Sequence, residues 1–309
     1  MTADPSTSST PAPPPALSTS TPGPLPLSVA IVCKNSAATI ERTLASVRPL
    51  AKQIVALDSG STDNTLSVLA AFGAQIHHIA WMGHVKTKQA ALEACGEPWI
   101  LCLDSDESVE PALADDLRAV ITADGHLWAG AAGAAGAAGA AGAAGAGGRG
   151  GRGGRVDGWE VNRKVWYAGR FLEHTWQPEW RLRLVRNGAA HWQGIDPHDK
   201  LTLRTPGAVG RLRGDLRHDS IGRIDDFLAR QVRYGRISAD GLWNLGRRGS
   251  VLGLLTSPPG AFVKQYLLKR GVLDGWRGLL GATSAAVAAA AKHAALLERS
   301  RTGDDPRPQ

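Results

Sequence analysis

Four short apolar runs, separated by segments of helical period, constrain this chain more than any other feature. "LSVAIVC" (27–33), "QIVALD" (53–58), "AQIHHIAW" (74–81) and "WILCLD" (99–104) carry the strand signal. Between the first two, Ile40, Leu44 and Val47 of "ATIERTLASV" (38–47) recur at helical spacing. Leu66, Leu69 and Ala70, then Ala90, Leu92 and Ala94, do the same further on. Strands alternating with helices of this length predict βαβ units and a parallel sheet covered by helices on both faces. Such sheets bind ligands beyond the carboxyl ends of their strands. Asp58 and Asp104 both stand at those ends, the first sign of a shared site.

The last of the four runs turns acidic at once: "WILCLDSDES" (99–108) sets Asp104, Asp106 and Glu107 behind five apolar residues. An unpaired carboxylate is costly to desolvate, so a cluster at a strand end holds something positive or faces water. At 309 residues with 43% hydrophobic content the chain can bury a substantial core. Its net charge of +7 is unevenly spread. Up to residue 148 there are 7 basic and 13 acidic residues, and from Arg149 onward 28 basic and 15 acidic. A basic second half suggests an anionic partner: nucleic acid, a phosphorylated glycan or a membrane surface. Cys33, Cys95 and Cys102 lack CxxC spacing and read as buried free thiols of a reducing cytosol. Met1 to Pro26 is rich in Ser, Thr and Pro and reads as a disordered tail, not a secretory signal. The nearest approach to a spanning helix, Gly278 to Ala291, is 14 residues of mostly alanine, short of the ~18 required.

Beyond residue 128 the composition shifts. Residues 129–148 repeat Gly at every third position without proline, which excludes collagen. "RGGRGGR" (149–155) follows and looks like an RGG segment of RNA-binding proteins, although no RNA-binding fold signature accompanies it. The plainer reading is a low-complexity loop. From 156 the chain turns to shorter strands and carries seven of its ten tryptophans. Residues 222–245 and 260–298 read as helices. The second sets Val263, Leu267, Leu268, Leu273 and Leu279 beside Lys264, Lys269, Arg270 and Arg277, an amphipathic pattern suited to anionic lipid.

Four features of the first half converge. "VCKN" (32–35) ends the first strand, and "DSGSTDNT" (58–65) is a turn in which Ser61, Thr62 or Asp63 can cap the next helix. "GHVKTKQAAL" (83–92) puts Lys86 and Lys88 near a helix start, and "DSDE" (104–107) closes the fourth strand. In this order and spacing they resemble family-2 glycosyltransferases, inverting nucleotide-sugar enzymes of the GT-A fold. The resemblance is strongest over 27–122. It continues through "GWEVNRKVWYAGRFLEHTWQPEWRLRLVRNG" (158–188), "DPHDKL" (196–201), "LRHDSIGRIDDFLARQVRYGRISA" (216–239) and "FVKQYLLKRGVLDGWRGLLGA" (262–282). These stretches look like the subgroup that builds lipopolysaccharide core, β-1,4-glucosyltransferases acting on core heptose. The insert at 129–155 and the tail before 27 depart from that pattern.

The resemblance implies a GT-A-type, Rossmann-like sheet: a nucleotide-sugar half at 27–128, an acceptor-side part at 156–220 and a helical extension at 221–298. It implies that Asp104 and Asp106 form a DXD-type motif holding Mg²⁺ or Mn²⁺ against the donor diphosphate, where charge builds as the bond breaks. Asp58, Ser59 and Gly60, the backbone of Cys33, Lys34 and Asn35, and Lys86, Lys88 and Asp104 would bind the nucleotide-sugar. An inverting displacement needs a base. Where the subgroup carries His-Glu, this chain has His198-Asp199, with Glu173 and Asp196 in reserve. Trp176 and Trp192 can stack on a sugar or pack in the core. Arg181, Arg183 and Arg186, alternating on one strand, suit a phosphorylated acceptor or a solvated face. UDP-glucose is the implied donor, with UDP-galactose behind it. A lipopolysaccharide core or other glycolipid is the implied acceptor, with polyprenyl phosphate and capsule or protein glycans as rivals. The implied place is the cytoplasm, with peripheral contact at the inner membrane and no nucleic-acid partner.

Overall fold

The computed structural model describes residues 23–124, 156–195 and 198–303. The tail to residue 22, the insert at 129–155 and Asp196 lie outside the described residues, as does the side chain of His198. The first half builds β1 (Leu25–Cys33), α1 (Ile40–Val47), β2 (Ala51–Asp58), α2 (Thr65–Ala71) and β3 (Gln75–His78). It continues through α3 (His84–Glu93), β4 (Trp99–Asp104), β5 (Glu107–Val109) and α4 (Pro111–Asp124). β1 begins two residues inside the expected tail, because Leu25 is buried and its amide donates to Leu50 O at 2.7 Å.

The second half supplies β6 (Val156–Tyr167), β7 (Arg170–Phe171), β8 (Trp180–Arg186), β9 (Ala190–Ile195), β10 (His198–Leu203) and β11 (Ala208–His218). The main sheet runs β3-β2-β1-β4-β8-β6-β11-β5, with β7 pairing β6, while β9 and β10 form a separate hairpin. β3, β2, β1 and β4 are mutually parallel, as expected. β8 runs antiparallel to β4 and to β6, and β6 and β11 are parallel again. The result is the mixed, mostly parallel GT-A-type sheet that the resemblance implies.

Both faces of β1, β2 and β4 are buried, which is why they read as apolar runs without alternation, whereas β3 is the largely exposed edge strand. One face packs Leu27, Val29, Ile31, Leu101 and Leu103 against Ile40, Leu44 and Val47 of α1 and Leu113 and Leu117 of α4. The other packs Ala30, Val55, Leu57, Ile100 and Cys102 against Ala91 and Leu92 of α3 and Trp192 and Leu201 of the hairpin. Cys33, Cys95 and Cys102 are buried free thiols, each pushed up to about 12 by burial.

The helical extension differs from the expected two helices. α5 (Ile224–Asn244) matches the first. The second divides into α6 (Val251–Val263), a π-helical turn (Lys264–Leu268), a 3-10 turn (Gly271–Asp274) and α7 (Trp276–Thr302). Ser250 caps α6, accepting from the Gly253 amide at 3.0 Å, and Pro258 and Pro259 sit inside the helix. α7 is longer than its alanine run suggests. By length and composition it is apolar enough to cross a membrane, with a mean hydropathy of 1.3 over its best window, of which 28% is buried. Gly281, Ala282, Ser284 and Leu296 of α7 are buried, and Arg299 is paired at 2.6 Å with Asp240 of α5.

Candidate active site

The parallel register brings the sequence-selected residues to one edge. Cys33 lies opposite Asp58 and Val32 opposite Asp104, so β1, β2 and β4 end together. Asp58 is buried and folds the β2–α2 turn around itself. Its carboxylate accepts from the amides of Gly60 and Ser61, each at 3.0 Å, and from the Ser61 hydroxyl. Burial pushes its pKa up, but these donors and nearby His78 more than offset that and hold it below the usual carboxylate range. Gly60, at φ +86°, is where this turn needs the left-handed region. Ser59 is buried and donates its amide to Cys33 O at 3.0 Å.

The loop after β1 is stitched to the same turn. Asn35, at φ +50°, accepts through Oδ1 from the Thr62 amide at 2.8 Å, and its own amide donates to Ser61 Oγ at 2.9 Å. Asp63 accepts from the Thr65 amide at the start of α2 and from the Ala37 amide, both at 3.0 Å, tying two loops together. The N-cap position itself is Asn64, without a side-chain cap bond, and not the expected Ser61, Thr62 or Asp63. Lys34 is exposed. The two lysines of α3 part company: Lys86 is exposed, and Lys88 points inward with a side chain only 12% exposed.

Lys88 joins the two halves of the chain. Its Nζ lies 2.6 Å from Asp104 Oδ1 and 2.9 Å from Asp199 Oδ2, and 4.8 Å from the centre of the Trp192 ring. Asp199 comes from β10, register-paired with Gly194 of β9. The hairpin is held on α3 by the Trp192 amide, which donates to Gln89 Oε1 at 2.8 Å. One ammonium thus bridges the acid at the sheet edge and the acid expected to act as base. Burial disfavours the charged lysine, but Asp104 and Asp199 outweigh it and raise its pKa.

Asp104 is further braced by Arg183 Nη2 at 2.9 Å and Arg163 Nη1 at 3.6 Å. Burial opposes its charge, but Lys88 and the two guanidiniums hold it well below the usual range. Glu107 is fully buried: Oε2 accepts from the Asp104 amide at 3.0 Å and Oε1 faces Arg163 and Arg183. Of the three alternating arginines, Arg183 and Arg186 are largely buried, while the Arg181 side chain is partly exposed. Arg183 braces the acidic turn, Arg181 pairs with Glu179 at 2.6 Å, and Arg186 lies 3.3 Å from Asp157 and covers Trp99. Trp192 is 7% exposed and packs in the core. Trp176 stands edge-on to Phe227, with ring centres 5.9 Å apart.

Asp106 is left in a different environment. Its Oδ2 is 3.4 Å from Nε2 of His218, a residue sequence reasoning quoted but gave no role. Burial disfavours its charge, yet His218 lowers its pKa overall. The separation is long for a charge-assisted hydrogen bond, about 2.7–2.9 Å. It is nearer the spacing of two neighbouring ligands on one small cation, about 3 Å for bonds near 2.1 Å. The other ring nitrogen of His218, Nδ1, is buried without a hydrogen-bond partner. A carboxylate and an imidazole suit a first-row divalent ion, so these two residues fit a cation. Among the described residues no three His, Cys, Asp or Glu side chains converge on a preformed metal cage. Glu173, the reserve base, is 48% exposed and paired with Lys164 at 2.7 Å.

With this geometry in place, the comparisons with known proteins are specific. Residues 28–135 match the model of glycosyl transferase family 2. Over 286 residues it is 26% identical to a lipopolysaccharide core biosynthesis glycosyltransferase of Rhizobium meliloti, covering 88% of this chain and 92% of that protein. An uncharacterized glycosyltransferase of Rickettsia bellii is 35% identical over 96 residues, 31% of this chain and 33% of its own length. Among solved structures, glucosyl-3-phosphoglycerate synthase from Mycobacterium tuberculosis, in complex with Mn²⁺, UDP and glucosyl-3-phosphoglycerate, is 29% identical over 26% of this chain and 33% of that one, with a TM-score of 0.25.

Proposed function

We propose that the chain transfers a hexose, with inversion, from a UDP-sugar to a lipopolysaccharide-core or similar glycolipid acceptor at the cytoplasmic face of the inner membrane. The Lys88 bridge between Asp104 and Asp199 is the observation that carries this reading. It sets a candidate base, delivered by the second half of the chain, against the strand edge where the family 2 domain would take its donor. The Rhizobium relative supports the acceptor class, and the resemblance of the sequence motifs to nucleotide-sugar enzymes motivates the donor. Polyprenyl phosphate and capsule glycans remain the rival acceptors for the same chemistry.

In this mechanism the turns at 33–35 and 58–61 line the nucleotide pocket. Asp106 and His218 would hold Mg²⁺ or Mn²⁺, which when bound neutralises charge developing on the leaving diphosphate. Asp104 acts from behind: tied to Lys88, Arg183 and Arg163, it fixes the turn that presents Asp106. Lys88 faces the same edge, so an incoming diphosphate draws its ammonium and frees Asp199 Oδ2. Asp199 then takes the proton of the attacking hydroxyl as the glycosidic bond breaks on the opposite face.

The direct test is release of nucleotide from UDP-, GDP- and dTDP-sugars with Mn²⁺ and a lipopolysaccharide-core acceptor. Turnover of a UDP-hexose that stops in excess EDTA and returns with Mn²⁺ is expected. Absence of turnover with every donor, or full activity in EDTA, contradicts the reading.

A further inference from the structure

A cavity of about 360 Å³ lies apart from the Lys88 bridge, between β6 with its following loop and the turn that joins α6 to α7. Its walls include Lys164, Glu173, His174, Gln177, Lys269 and Arg270. The two walls are clamped together. Asp274, from the 3-10 turn, is buried and accepts from the amides of Glu173, His174 and Thr175 at 2.9, 3.1 and 2.7 Å. Arg277 adds a bond to Tyr167 O at 3.2 Å. The cavity is a built part of the fold rather than a gap between loose segments.

Its charges are not balanced internally. Lys164 is satisfied by Glu173 at 2.7 Å and Asp215 at 3.0 Å. Lys269 and Arg270 line the same space, are exposed, and make no side-chain hydrogen bond or ion pair among the described residues. Arg270 is held at φ +57°, a left-handed conformation unusual for a side chain of its size. Gln177, only 9% exposed, also lines the cavity, and its Oε1 is buried with no donor. A cavity with two unpaired cations and an unpaired amide oxygen asks for a ligand with an anionic group and a hydroxyl. Position adds to this. Asn162 and Lys164 line the cavity, and Arg163 between them reaches Glu107 beside Asp104, so one strand serves both sites. Leu268, 75% exposed, stands at the same wall and continues into the apolar surface of the extension.

We propose that this cavity binds a phosphate or carboxylate carried by the acceptor glycan, with Lys269 and Arg270 taking the anion and Gln177 Oε1 accepting from a sugar hydroxyl. The inference rests on the glycosyl-transfer reading and narrows its acceptor to an acidic sugar. Asp199 and the donor edge do the chemistry, and the cavity decides which acceptor is presented to them.

The test uses the full chain saturated with UDP and Mn²⁺, so that phosphate probes cannot enter the donor site. Binding of mannose 6-phosphate and methyl mannoside is compared by calorimetry. At least a ~10-fold preference for the phosphate sugar is expected in the wild type, and its loss in K269Q/R270Q with UDP affinity unchanged. A second arm separates the sources of phosphate. The same variant is assayed for KM on phosphorylated core oligosaccharide freed of lipid, and for binding to phosphatidylglycerol vesicles. A KM raised ~10-fold supports the cavity. An unchanged KM with lost vesicle binding assigns the two cations to the bilayer and overturns the proposal, as does the absence of any preference in the wild type. Q177L keeps the cations and is expected to weaken both sugars alike. Donor turnover in the absence of acceptor reports on the glycosyl-transfer reading independently of all these outcomes.

Discussion

Asp104 and Asp106 stand two residues apart, yet the fold gives them different work. The first is locked to three cations and the second faces His218. Asp106→Asn is expected to lower turnover by at least ~10²-fold, since electrostatic stabilisation of the departing group is a large term. His218→Ala is expected to raise the Mn²⁺ concentration for half-maximal activity by ~10-fold, with circular dichroism unchanged. An unaltered metal titration in that variant would remove His218 from the cation site. A separate pH prediction concerns Glu179, which accepts from Arg163 and Arg181. Burial opposes its charge, but the two guanidiniums bring its pKa down from 4.5 to about 2. A depressed carboxylate stabilises the fold above its ordinary pKa and loses that contribution as pH falls toward the folded value. The stability gap between wild type and Glu179→Gln, measured by urea unfolding, is therefore expected to be full at pH 7 and to shrink between pH 4.5 and 2. A gap that stays constant or widens on acidification contradicts this assignment.

At the scale of elements, the helical extension makes the clearest prediction. α6 has no buried residue, and Leu252, Leu255, Leu268, Leu273 and Trp276 are each more than half exposed across α6, the turns that follow and the start of α7. Apart from Lys269 and Arg270 of the cavity, residues 241–273 carry Arg247, Arg248 and Lys264 and no acidic residue. Such a surface fits an anionic bilayer, each basic group adding about 1 kcal/mol near the headgroups. Vesicle flotation is expected to show binding to phosphatidylglycerol-containing but not purely zwitterionic vesicles, and L252S/L255S is expected to reduce it ~10-fold. Equal binding to both lipids, or none, would remove the membrane from the account. This surface was only partly legible in the sequence. The period of residues 260–298 announced an amphipathic helix, but Pro258 and Pro259 obscured α6, and nothing local showed that the chain would turn twice before α7. By contrast β4 was readable to the residue, because a strand buried on both faces is an uninterrupted apolar run. The arginines of β8 show the limit between these cases. Alternation tells which residues share a face but not what that face meets, and Arg183 meets Glu107 in the interior. His218 was out of reach for a related reason: its neighbour Asp106 is supplied by pairing of β11 with β5, a long-range contact without a sequence period.

Over the whole molecule, the uneven charge follows the division of labour. The acidic first half ends in the turns proposed to hold a nucleotide and a cation, and the basic second half carries the proposed membrane face and acceptor cavity. The Rhizobium relative spans both halves, whereas the Rickettsia relative matches only 96 residues. Deleting residues 129–154 is expected to leave transfer within ~3-fold of wild type, because the proposed site draws on none of them; loss of activity would implicate the insert. What joins the halves is Lys88, which sets the proposed base Asp199 against the proposed donor edge at Asp104. The most direct measurement pairs turnover with acceptor and UDP-sugar affinity by calorimetry without it, for Asp199→Asn against wild type. Removing basicity while keeping shape is expected to cut turnover by ~10²–10⁴-fold and leave donor affinity within about a factor of three. Near-normal turnover would move the base elsewhere, and a large loss of donor affinity would place Asp199 among the groups that hold the diphosphate.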